Sequence, residues 1–123
     1  MSETFHDLYV DLLNAVFLER ARQQLAQGED GLTCANTYAD QGKPDFALAY
    51  LLLVDCPEEM KRDILARAYE HRATFYDSKA NEFDQLYHRP FPLIKLEAQK
   101  DRMSAKQVRQ GQKVRRGGKS LNL

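Results

Sequence analysis

The stretch that decides the fold is Phe46-Ala47-Leu48-Ala49-Tyr50-Leu51-Leu52-Leu53-Val54. Nine apolar residues in a row cannot lie on a surface, so this run belongs to the core. Periodicity alone does not separate a buried helix from a buried strand. Two alanines and three consecutive leucines, with β-branched residues nearly absent, favour helix. The expected fold follows outward from it: all-α, a compact bundle of about four helices.

Upstream, Thr4 to Gln27 reads as one amphipathic helix. Thr4 is placed to cap it, and Phe5, Leu8, Leu12, Val16 and Leu25 recur at helical spacing. Gly28 stops it. A shorter helix spans about Leu32 to Gln41, capped by Asp30 and ended by Gly42, where a left-handed backbone is expected. Pro44 then starts the apolar helix, since proline suits the first helical position. Downstream, Asp55-Cys56-Pro57-Glu58 has the spacing of a capping box. A long helix follows to about His88, with Met60, Ile64, Ala68, Phe75, Phe83 and Leu86 on one stripe. Glu58–Arg62 and Asp63–Arg67 have the acid-first order that supports an exposed helix face. Pro90 and Pro92 end the run.

Within the middle of the chain, Tyr38, Gly42 and Ala47 stand in Tyr38-Ala39-Asp40-Gln41-Gly42-Lys43-Pro44-Asp45-Phe46-Ala47. An aromatic, a turn glycine and an alanine at this spacing let two helices approach closely. On these residues, positions 34–57 resemble a tetratricopeptide (TPR) repeat. The resemblance implies a peptide- or protein-binding scaffold and carries over no catalytic residues. Pro57 comes about two residues earlier than the repeat places its closing proline, and no second repeat is evident.

The net charge of zero conceals a division. Residues 1–93 hold nine Lys/Arg against sixteen Asp/Glu, a balance of −7. Residues 94–123 hold nine Lys/Arg against Glu97 and Asp101, a balance of +7. The sequence therefore predicts an acidic helical domain over 1–93 and a basic, flexible C-terminal tail over 94–123. Leu93, Leu96, Met103 and Val108 are too sparse for a core-facing stripe. Residues after about Lys100 are expected to lack fixed structure alone.

The tail supplies the candidate binding residues: Lys100, Arg102, Lys106, Arg109, Lys113, Arg115, Arg116 and Lys119. Such a run can neutralise phosphates by counterion release. It contains no aromatic residue to stack on bases, and no apolar face for a membrane surface. Three occupants compete for it: nucleic acid, an acidic protein, or the chain's own acidic body. Self-association of the domain also stays open.

Chemistry is sparse elsewhere. No phosphate-binding loop, nucleophile elbow or HExxH motif is present. His6, His71 and His88 are scattered, and Glu58, Glu59 and Asp63 suit a helix N-terminus better than a cation. The expectation is a non-enzyme with no cofactor and no metal. Cys34 and Cys56 follow no CxxC pattern, as in a reduced cytoplasmic protein. No apolar run approaches the ~20 residues of a bilayer span. Glu3, Asp7 and Asp11 stand where a signal peptide would be basic. The leading expectation is a cytoplasmic adaptor or regulator that binds a protein, with the basic tail as an electrostatic anchor. The alternative is a nucleic-acid-binding accessory protein whose tail contacts phosphates.

Overall fold

A computed structural model describes residues 3–114 and 121. Among them all regular structure is helical: α1 (Phe5–Tyr9), a 3-10 turn (Val10–Leu12), α2 (Ala15–Ala26), α3 (Gly31–Asp40), α4 (Pro44–Leu51), α5 (Glu58–Tyr87) and α6 (Pro92–Arg109). The all-α expectation holds, with six α-helices among the described residues rather than about four. Among the described residues no helix is long and apolar enough to cross a membrane.

The N-terminal helix is broken where one continuous helix was expected. Thr4 caps α1 as a capping box: its Oγ1 accepts from the Asp7 N–H at 3.1 Å, and Asp7 Oδ2 accepts from the Thr4 N–H at 3.2 Å. Ten residues on, Asn14 leaves the helical conformation, and its Oδ1 accepts from the Val16 N–H at 2.8 Å. That local bond offers the backbone an alternative to continuing the first helix, so α2 starts afresh.

Asp30 caps α3 as expected, accepting from the Thr33 N–H at 3.1 Å. The apolar run is helical as far as Leu51, in α4 from Pro44, with Ala47 to Leu51 all buried; Leu52, Leu53 and Val54 follow as a partly buried turn. The capping box expected at Asp55 and Glu58 does not form. Pro57 occupies the N-cap position with no side-chain bond. Glu58 instead accepts from the Phe5 N–H at 2.6 Å and ties α1 to the start of α5. Asp63 and Arg67 are likewise drawn away from each other: Asp63 pairs with Arg109, and Arg67 reaches Asp40 at 3.2 Å.

The largest correction concerns 94–123. The stretch expected to be a flexible tail contains α6, which lies along α5 as the second arm of a helical hairpin. Its buried stripe is Ile94, Ala98, Asp101, Ala105 and Val108, spaced by alternating fours and threes. The basic residues crowd the rest of the helix and mask this stripe in any count of charge. Beyond α6, Gly111 turns the chain, Val114 is buried, and the Gln112 carbonyl accepts from the Tyr9 hydroxyl at 2.7 Å. Residues 94–114 are thus continuous with the body.

The core falls into two clusters. The larger gathers Phe5, Tyr9, Ala35, Leu48, Leu51, Leu65, Tyr69, Ala105 and Val108. The smaller joins Ala73, Tyr76, Ala80, Ile94 and Ala98, with Phe83 and Phe91 partly buried against it. At their boundary lies a buried ion pair. Arg72 Nε and Nη2 donate to the two oxygens of Asp101 at 2.9 and 2.8 Å.

Candidate partner-binding surface

Helix α6 presents two faces. The inner one packs on α5. The outer one carries Leu93, Leu96 and Met103, exposed to 75%, 43% and 56%. These fall at spacings of three and seven, opposite the buried stripe, with Lys100 between Leu96 and Met103. On a helix that spacing places all four side chains in one seam. The sequence contained this signal. Leu93, Leu96 and Met103 are too sparse for a core-facing stripe because they form a second, outward periodicity. Val108, grouped with them, belongs to the inner face.

The eight candidate cations separate into different environments. Lys100 is exposed and approaches Glu97 of its own helix at 3.5 Å. Arg102 bonds to Asp77 of α5. Arg109 bridges Asp63 at 2.6 Å and Glu70 at 2.5 Å, both on α5. Those hydrogen bonds hold its guanidinium above the ordinary arginine range. Lys106 is exposed and makes no ion pair among the described residues. Lys113 lines an open cleft of about 870 Å³ with Glu3, Thr4, Glu58, Arg62 and Arg109. Arg115, Arg116 and Lys119 lie outside the described residues. Arg102 and Arg109 therefore serve α5, leaving Lys100, Lys106 and Lys113, with Lys95, to face outward.

The hairpin also exposes apolar groups beyond α6. Phe75, Leu86 and Tyr87 of α5 are exposed to 48%, 62% and 58%. At the tip, Phe83, Tyr87 and Phe91 form a ring cluster with centroids 5.4 to 6.0 Å apart. Arg89 lies over Phe91 at 5.2 Å. A second aromatic group sits in the α3–α4 hairpin, where Tyr38 stacks on Phe46 at 5.0 Å and on Tyr50 at 5.7 Å.

Among the described residues, no group of three His, Cys, Asp or Glu side chains could hold a metal ion. Cys34 is a free thiol that burial and the neighbouring Glu29 push above the ordinary cysteine range, which disfavours a reactive thiolate. Among the described residues Arg72 is the most deeply buried cation. Burial acts to lower its pKa, but the bonds and charge of Asp101 outweigh burial and raise it. The arrangement offers exposed apolar anchors set among lysines, a combination suited to binding. No family model, no curated protein and no solved structure matches this chain.

Proposed function

We propose that this protein is a non-enzymatic helical adaptor or regulator, working in the cytoplasm, that binds a protein partner through the α5–α6 hairpin. One observation carries the reading: large apolar side chains stand exposed along that hairpin, at Phe75, Leu86, Tyr87, Leu93, Leu96 and Met103. Large apolar side chains left exposed along one helical hairpin are candidates for an interaction surface. Aromatic and arginine side chains at the tip are the types that anchor interfaces. The tetratricopeptide likeness of residues 34–57 fits the same role. In this reading α3 and α4 form the scaffold that holds the hairpin, and α6 supplies the electrostatic component.

The nucleic-acid alternative draws on the same cations but has fewer at its disposal, because Arg102 and Arg109 are engaged by Asp77, Asp63 and Glu70. A photo-crosslinking residue placed at Leu96, Met103 or Tyr87 tests the proposal in native extract treated with nuclease. The expected result is an adduct of defined mass that excess unlabelled protein suppresses, and that a crosslinker at Gln23 does not give. Adducts that vanish on nuclease treatment favour the nucleic-acid alternative. Adducts equal at all positions defeat the hairpin as the binding region.

A further inference from the structure

We infer that the outer face of α6 is a docking seam for an acidic amphipathic helix of a partner protein, a reading that rests on the proposed adaptor role. Two features of the face choose the occupant. The first is its apolar seam, Leu93-Leu96-Met103, narrow and at heptad spacing, which matches one stripe of one helix. The second is the sign of its charge. The basic residues of α6 are Lys95, Lys100, Arg102, Lys106 and Arg109, whereas its acids are Glu97 and the buried Asp101. Asp77, Asp63 and Glu70 neutralise the two arginines from the α5 side. Of the three lysines, Lys100 lies in the seam, held by a long contact to Glu97, and Lys95 and Lys106 both lie on one flank of it. A helix with Leu or Ile at the seam and Glu or Asp beside it would place carboxylates over those lysines.

The same features argue against the other occupants. A second copy of α6 laid antiparallel, so that Leu96 of one meets Met103 of the other, brings Lys100 near its own symmetry mate and sets like charges together. A lipid surface calls for a broad apolar face, and this seam is interrupted by Lys100.

The test uses the full-length chain and a labelled synthetic peptide of about three heptads, with Leu at the a and d positions and Glu on both flanks. A second peptide keeps the Leu pattern and carries Lys on the flanks. Fluorescence anisotropy should show binding of the Glu peptide, weakening with added salt, and binding of the Lys peptide at least about tenfold poorer. The paired substitutions Leu96→Ser with Met103→Ser, and Lys100→Glu with Lys106→Glu, should each weaken the Glu peptide by about tenfold or more while the helical melt stays unchanged. All four side chains are exposed, so folding is not at stake.

No binding, equal binding of both peptides, or indifference to either variant overturns the inference. Binding to phosphatidylserine vesicles without binding to the peptide assigns the seam to a lipid surface instead. A dimer in sedimentation that Leu96→Ser with Met103→Ser dissolves assigns it to a second copy. If crosslinkers at Phe75 or Tyr87 capture a partner while those at Leu96 and Met103 stay silent, the adaptor reading survives and the α6 seam falls.

Discussion

Arg72 and Asp101 meet across the α5–α6 interface with both side chains essentially inaccessible, at 2% and 0% exposure. Two nearly parallel bonds join them, and the guanidinium lies 5.5 and 5.7 Å from the Tyr69 and Tyr76 rings. The pair occupies positions that heptad packing would otherwise fill with apolar residues, on the boundary of the two core clusters. Its geometry fixes the register of α6 against α5, because a slip of one turn would leave each charge buried without its partner.

Removing one member should be far worse than removing both. Asp101→Ala takes the bidentate carboxylate away from the buried Arg72 cation and should cost about 3–5 kcal/mol. Arg72→Met with Asp101→Leu should cost much less, or even stabilise, because packing replaces the pair without an orphan charge. Urea denaturation of the three proteins measures the difference. A single variant as stable as wild type would show that water reaches the pair.

Gly42 touches the same place from the other side. Its φ is +69°, and a Cβ there would stand 2.8 Å from the Arg72 backbone nitrogen. Both facts require glycine, one through backbone strain and one through contact with an immobile helix. Gly42→Val should therefore cost well over about 1 kcal/mol. Gly42→Ala should lose a large part of the same amount, since the first carbon already collides. Thermal melts of both variants check this.

At the far end of α5, His88 has φ 55° and ψ 38°, left-handed without being glycine. Such a conformation costs an L-residue roughly 1–2 kcal/mol. The side chain is exposed, so little is lost by removing it. His88→Gly should raise stability by up to about 1 kcal/mol, and His88→Val should lower it. A fall in melting temperature for His88→Gly would reveal a contact of the imidazole that outweighs the strain.

How far the fold was legible depended on what filled each stripe. The Phe46–Val54 run announced α4 because nothing polar interrupts it. Thr4, Asp30 and Gly42 were readable because capping and left-handed turns have strong residue preferences. Helix α6 was not, for a definite reason. Its inner stripe holds two alanines and Asp101, residues with little apolar signal of their own. They become core only because the long helix opposite supplies Tyr69, Tyr76 and Arg72. A charge buried against a charge cannot be told from a solvated one in a single sequence. The candidate site suffered from the same masking. In the sequence the run of lysines and arginines hides both that Arg102 and Arg109 bind α5 and that Leu93, Leu96 and Met103 form an outward apolar seam.

Alkaline conditions should loosen the joint between the N-terminus and the end of α6. Tyr9 is fully buried, its hydroxyl donates to the Gln112 carbonyl, and burial pushes its pKa up to about 12. An unfolded tyrosine ionises near 10. Between those values the unfolded chain releases a proton that the folded chain keeps, so stability falls as pH rises from about 10 towards 12. Tyr50, also raised to about 12 by burial, adds to the same loss. Tyr9→Phe should cost about 1 kcal/mol at neutral pH from the missing bond. It should also flatten part of the alkaline decline. Denaturation across pH, with tyrosinate absorbance alongside, checks both effects. A decline unchanged in Tyr9→Phe would place the alkaline sensitivity elsewhere.

Truncation separates the sequence-based domain boundary from the one the packing implies. On charge alone, removing 100–123 deletes a basic tail with almost no apolar surface and should leave the fold intact. The structure reverses that expectation. The cut removes Asp101, Ala105, Val108 and Val114, all buried, and the Gln112 carbonyl that holds Tyr9. It takes the bidentate carboxylate from the buried Arg72 guanidinium and frees Asp63 and Glu70 from Arg109. Losing Asp101 while Arg72 stays buried costs about 3–5 kcal/mol, a large share of the 5–15 kcal/mol that holds a typical domain together. The truncated chain should therefore fail to melt cooperatively, with depressed helical circular dichroism. Adding Arg72→Met to the truncated chain should recover part of the helicity by removing the buried charge. Cooperative melting of the truncated chain near the wild-type temperature would mean that residues 3–99 fold without the second half of α6, and that the Arg72–Asp101 pair is an addition to a finished core.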